Sequence, residues 1–175
     1  MMTERNWTTA GTPYALVVLR IAYGVLWIQQ ALWKIPPDFG LAKGDGLYYW
    51  TQEMVKYSFL APHKFFVASV VIPNFVLFGW VTLLTELFIG ASHVFGVVNR
   101  LGALAALGMS LNLWIGLMRH PNEWPWSYLM MIGFAILFIS THPGRLFGVD
   151  GLLSQRLSRP ADAPRSWARA LNLLL

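Results

Sequence analysis

Four side chains stand in stretches whose composition otherwise suits hydrocarbon. Arg20 interrupts the apolar run from Pro13 to Trp33, Glu86 and His93 lie inside the run from Phe75 to Phe95, and Asn112 sits in the run after that. A guanidinium or carboxylate in a bilayer costs about 3 kcal/mol on helix-insertion scales unless it is paired or faces a polar cavity. These residues therefore need partners. Gly79, Glu86, His93 and Arg100 recur every seven residues, with Gly90 between, so on a helix they form one stripe that must face protein. At about 1.5 Å per residue, Arg20 lies roughly 10 Å from the inner end of its helix and His93 about 8 to 10 Å above Arg100, with Glu86 and Asn112 about 18 to 20 Å from that loop. An arginine stem can lie along apolar surface while its head climbs one to two turns, so Arg20 is expected to pair with Glu86, directly or through His93 or water.

Two kinds of chemistry suit this set. A buried ion pair can do no more than fix helix register. A polar pocket of the same residues can bind a headgroup or relay a proton, with arginine donating to a carbonyl and a carboxylate or histidine delivering protons. A second group, Trp33, Trp50, Trp124, Trp126 and Tyr128 with Gln29 and Gln30, gathers toward the opposite interface. It reads either as an aromatic belt at headgroup depth or as a ring-lined pocket for a quinone headgroup. With no cysteine in the chain, thiolate catalysis and thiolate-held metal are excluded. No His-x-x-x-His, Glu-x-x-His or nucleotide fingerprint occurs, so no haem, flavin or metal is expected.

The elements that must position these residues follow from hydropathy. Of 175 residues 56% are hydrophobic and only 12% charged, with nine tryptophans, which places the chain among integral membrane proteins. A hydrocarbon core about 30 Å thick needs roughly 20 apolar helical residues. The expected fold is an all-α integral membrane protein, a four-transmembrane-helix bundle with helices about 13–34, 73–98, 101–118 and 125–142, forming one domain over 1–153. Pro13 suits a helix start and Pro36-Pro37 a stop. Leu47 to Phe59 has the spacing of an outer interfacial helix between helices 1 and 2, and Pro73-Asn74 breaks the long run before helix 2. Residues 154–175 form a basic amphipathic tail, with Trp167, Leu171 and Leu174 beside Arg165 and Arg169, suited to anionic lipid or to a partner.

The net charge of +5 does not point to nucleic acid, because the basic residues are sorted by loop. Seven arginines (5, 100, 145, 156, 159, 165 and 169) face three acids on one side, and five Lys/Arg face four acids on the other. The positive-inside rule then puts both termini in the cytoplasm.

Several segments carry a resemblance. Helix 1 reads Arg20-x-x-x-Gly24-x-x-Trp27-x-x-x-Ala31-x-x-Lys34, and later come Glu86-x-x-x-Gly90, Glu123-Trp124-x-Trp126-x-Tyr128 and Gly144-Arg145-x-x-Gly148-x-Asp150. Over about 13–153 the chain resembles the DoxX/DoxD family of four-helix membrane proteins, especially the DoxD type, the small subunit of thiosulfate:quinone oxidoreductase. Ala31 stands where the family often has glycine. The resemblance implies a bacterial or archaeal cytoplasmic membrane protein tied to quinone-linked redox chemistry and acting with a membrane or periplasmic partner subunit. Quinone is the one cofactor it suggests, with Arg20, Glu86, His93 and Asn112 as the candidate quinone or proton site. The alternative is a non-catalytic accessory subunit of a larger respiratory or photosynthetic complex. A small transporter has little support, since no broken helix pair or repeat symmetry is present.

Overall fold

Hydropathy and punctuation set the helices, and glycine sets how closely they pack. The computed structural model describes residues 12–157, which form seven α-helices with no strand among the described residues. Helix α1 runs Thr12–Leu32, and four residues later Pro36 and then Pro37 prevent its continuation. Helix α2, Gly46–Tyr57, is the short amphipathic helix expected before the second long span, and it turns Thr51, Glu53 and Met54 inward. Helix α3, Ala61–Phe66, runs into a widened π turn at Val67–Val71, where Ile72 N–H reaches back to the Val67 carbonyl at 2.9 Å. Pro73 follows at once, a residue with no N–H to donate, and the chain restarts as α4, Phe75–Phe95.

Gly96, at φ 63°, ends α4 in the left-handed conformation that glycine adopts without a Cβ penalty. Helix α5, Asn99–Leu117, starts three residues later, and α6, Pro125–Thr141, opens with proline in its first turn. A 3-10 turn at Pro143–Arg145 and helix α7, Val149–Leu157, complete the described chain. The expected tail beyond 157 lies outside the described residues.

Among the described residues, three helices are long and apolar enough to cross a membrane: Pro13–Leu32, Phe75–Phe95 and Asn99–Leu117. The fourth apolar helix, Pro125–Thr141, has 17 residues. Their outward faces carry Val18, Leu26, Leu77, Leu84 and Leu129, all exposed, as lipid contact requires.

Helix α1 packs antiparallel along α4, and α5 along α6. The first pairing is close because Gly24 and Gly90 meet. A Cβ on Gly24 would lie 2.8 Å from the Gly90 carbonyl oxygen, so neither position has room for a side chain. The two pairs join through α4 and α5 at the end that holds the 96–98 turn, here termed the closed end. There Tyr23, Trp27, Ile89, Ala103, Ala106, Ala135 and Phe138 form the main core. Toward the other, open end the core divides. Phe39, Ala31, Phe75 and Leu83 pack on the α1/α4 side, and Met54, Val67, Leu117 and Tyr128 on the α5/α6 side. Between these two clusters lies a cleft.

Candidate functional site

The expected pairing of Arg20 with Glu86 is not made. Antiparallel packing through Gly24 and Gly90 sets Arg20 beside Gly96, at the closed end. There the loop after α6 turns three carbonyls toward the guanidinium. Arg20 Nη1 donates to the Pro143 oxygen at 2.8 Å and to the Leu146 oxygen at 3.2 Å, and Nη2 to the Phe147 oxygen at 3.5 Å. Asp150 completes this junction. Its two carboxylate oxygens accept from Val98 N–H at 2.7 Å and Asn99 N–H at 2.8 Å, satisfying free amides at the start of α5. Burial pushes the Asp150 carboxyl up, while those amides and Arg20 pull it back down.

His93 also stays at the closed side. Its Nδ1 donates to the Ile89 carbonyl at 2.8 Å, and its ring packs on Tyr23 at 5.2 Å and Phe138 at 5.4 Å. Arg20 and His93 therefore do not belong to one site with Glu86 and Asn112.

Glu86 finds its partner from the opposite direction. Lys34, two residues past α1, folds back so that Nζ lies 2.6 Å from Glu86 Oε2 and donates to the Gln30 carbonyl at 2.7 Å. Both side chains are only 3% exposed. The ammonium also sits 4.2 Å from the centre of the Trp33 ring, a cation–π contact.

The Lys34–Glu86 pair faces the cleft, whose volume is about 1190 Å³. One wall is α1 and α4, with Tyr23, Trp27, Gln30, Lys34, Thr82 and Glu86. The opposite wall is α5, α6 and α2, with Met109, Asn112, Leu113, Tyr128, Met131 and Trp50. Leu26, Val81, Met130 and Trp126 stand exposed on its rim, so the cleft opens to the side of the bundle. The lining is mostly apolar and aromatic with a few convergent polar groups, the make-up of a small-molecule site.

Three hydrogen-bonded groups flank the open end. Tyr128 Oη donates to Glu123 Oε2 at 2.6 Å, and both residues line the cleft. His63 links Ser58 to Asn112, at 3.0 Å on each ring nitrogen. Behind the wall, His120 Nδ1 accepts from Asn122 N–H at 3.2 Å, so Nε2 carries the proton toward Glu53, 3.4 Å away. Glu53 also pairs with Lys56 and holds that ammonium above its ordinary value. This cluster ties α2 to the loop after α5.

Of the residues expected from sequence, Glu86, Asn112, Trp33, Trp50, Trp126 and Tyr128 come together on the cleft. Trp124 does not, being 66% exposed and packed edge-on against Trp126 at 5.9 Å. Lys34, Glu123 and His63 were missed, since each sits outside the long apolar runs. The signal that could have found Lys34 is its place in the helix 1 pattern, one turn beyond Gln30.

The family model described as "TQO small subunit DoxD" matches residues 15–171. The chain belongs to the DoxD family. At family level it is a membrane subunit of thiosulfate:quinone oxidoreductase. No curated protein and no solved structure matches the chain. The last two segments that carry the resemblance, Glu123–Tyr128 and Gly144–Asp150, fall at opposite ends of the molecule. Glu123 and Tyr128 reach the cleft, whereas Gly144, Gly148 and Asp150 build the closed end.

Proposed function

We propose that this DoxD chain is the quinone-holding membrane subunit of its oxidoreductase, and that the cleft is where the quinone ring rests. The observation that supports this reading is the buried Lys34–Glu86 pair on the wall of an otherwise apolar, ring-lined cleft. A pair serving only to fix helix register has no need of an open side, and burying both charges is costly without a return. A quinone suits the lining: a flat ring for Trp27, Trp50 and Tyr23, a carbonyl for the Lys34 ammonium, and a volume above that of drug-sized pockets, enough for part of an isoprenoid chain. When bound, a quinone supplies a two-electron, two-proton acceptor.

The protein's own part is positioning and proton handling. Lys34 Nζ orients a carbonyl oxygen, and the Glu86 carboxylate beside it is the base that takes up a proton and passes it to that oxygen. Tyr128 and Glu123 extend protic groups from the cleft to the open end. The rings of Tyr23, Phe134 and Phe138 close it toward the other end. With no cysteine, the chain has no thiol to carry sulfur, so electrons reach the cleft from a partner subunit.

The same reading places four spans in a bacterial or archaeal cytoplasmic membrane, with α6 as the fourth. At 17 residues it is about 25 Å long, short of the hydrocarbon thickness by less than one turn. The closed end and both termini are cytoplasmic, and α2 lies at the outer interface.

Tryptophan fluorescence in detergent tests the proposal, because Trp27, Trp33 and Trp50 line the cleft. Decylubiquinone should quench the wild type saturably, and Lys34→Met should weaken binding about tenfold or more. Linear quenching, identical in both proteins, would sink the quinone reading and leave the accessory-subunit role.

A further inference from the structure

We infer that the cleft is built for a para-quinone and that His63 is a positioning residue, turning the Asn112 amide into a second carbonyl donor. The inference rests on the quinone reading above. A para-quinone carries its two oxygens at opposite edges of the ring. Lys34 and Asn112 stand on opposite walls of the cleft, one from the α1 side and one from α5.

Which end of the Asn112 amide meets the cleft is set from behind. Asn112 Oδ1 lies 3.0 Å from His63 Nε2, and an amide oxygen only accepts, so the imidazole carries its proton on Nε2. Nδ1 is then the acceptor, and the Ser58 hydroxyl turns its one hydrogen to it at 3.0 Å rather than to the Leu60 carbonyl at 3.3 Å, which fixes this tautomer. Ser58, His63 and Asn112 thus form a chain with one direction of donation. With its oxygen held by His63, Asn112 turns its NH₂ toward the cleft it lines. A donor placed for a second carbonyl discriminates, because a ligand that covers the amide but lacks that oxygen leaves it unpaired.

The test compares 1,4-naphthoquinone with 1-tetralone, a similar ring system with a single carbonyl, by quenching of the cleft tryptophans in the purified full chain. Wild type should bind the diketone about tenfold more tightly than the monoketone, the effect of one well-placed hydrogen bond. His63→Phe should bring the two dissociation constants close to parity. His63→Gln should keep the preference, because its side-chain N–H reaches the place of Nε2–H. A general loss of structure would weaken both ligands alike and leave their ratio unchanged. Ser58→Ala, which frees the tautomer without touching the cleft, should reduce the preference two- to threefold, and it decides the matter if His63→Phe does not assemble. A full preference retained in His63→Phe, or in Ser58→Ala where that variant decides, overturns the role of His63 while the quinone reading stands. Absence of saturable quenching of the wild type by either ring system overturns both.

Discussion

At the scale of single residues, the governing fact is that two buried cations solve the same problem differently. Arg20 is satisfied by carbonyl dipoles at 2.8 to 3.5 Å, whereas Lys34 is satisfied by a carboxylate at 2.6 Å. The consequence differs on mutation. Lys34→Met leaves Glu86 unpaired in a buried wall, either as an uncompensated charge or forced to take up a proton, which should cost about 3–5 kcal/mol. Converting both, Lys34→Met with Glu86→Leu, removes the unpaired charge and should restore stability to within about 1 kcal/mol of wild type, yet without quinone binding. Thermal unfolding in detergent, followed by size-exclusion recovery, checks both. A double variant as unstable as the single one would show that the pair does more than neutralise itself. That Glu86 needed a partner was legible in the sequence, from the cost of a carboxylate in an apolar run. Which partner was not. Lys34 lies past the helix end and reaches Glu86 only because α1 and α4 cross at Gly24 and Gly90, a register that no local pattern contains.

At the scale of elements, close packing and capping hold the site. Gly24→Val would press a branched side chain against the Gly90 carbonyl and Val94 N, 2.8 Å from its Cβ, and helix α1 would have to move outward. The expected loss is about 2–3 kcal/mol, with Lys34 drawn away from Glu86. A drop in unfolding temperature together with weakened quinone quenching checks it. Asp150→Ala uncovers the two amides at the start of α5 and should cost about 1–2 kcal/mol, with Asp150→Asn losing less because one acceptor remains. Hydrogen exchange should quicken first in residues 97–102. The long helices were readable to within three residues, because Pro36, Pro73, Gly96 and Pro125 punctuate strong hydropathy. Helices α3 and α7 were not. They lie in loops, have no long apolar run, and owe their form to what they pack against: α3 against α2 and α5, and α7 to the 142–148 loop that Arg20 and Asp150 hold.

At the scale of the whole molecule, two helix pairs join at one end and part at the other, so among the described residues the cleft opens toward the open end and the side of the bundle. On the quinone reading, which face of the membrane would supply its protons depends on orientation. Arg100 and Arg145 sit at the closed end, and the proposed orientation, read from the positive-inside rule, has that end in the cytoplasm. The absence of native cysteine makes this directly measurable, since any introduced thiol is the sole one. Single cysteines at Lys43, in the exposed loop before α2, and at Gln155, exposed on α7, report the two ends. In intact spheroplasts, a membrane-impermeant maleimide should label Lys43→Cys fully and Gln155→Cys only after permeabilisation. The reverse pattern would put the open end in the cytoplasm, and the cleft would draw its protons from that side instead. Labelling of both from outside would mean an even number of crossings between them. In that case α6, the shortest apolar helix, would not span the membrane, and the α5/α6 wall of the cleft would have to be anchored by α5 alone.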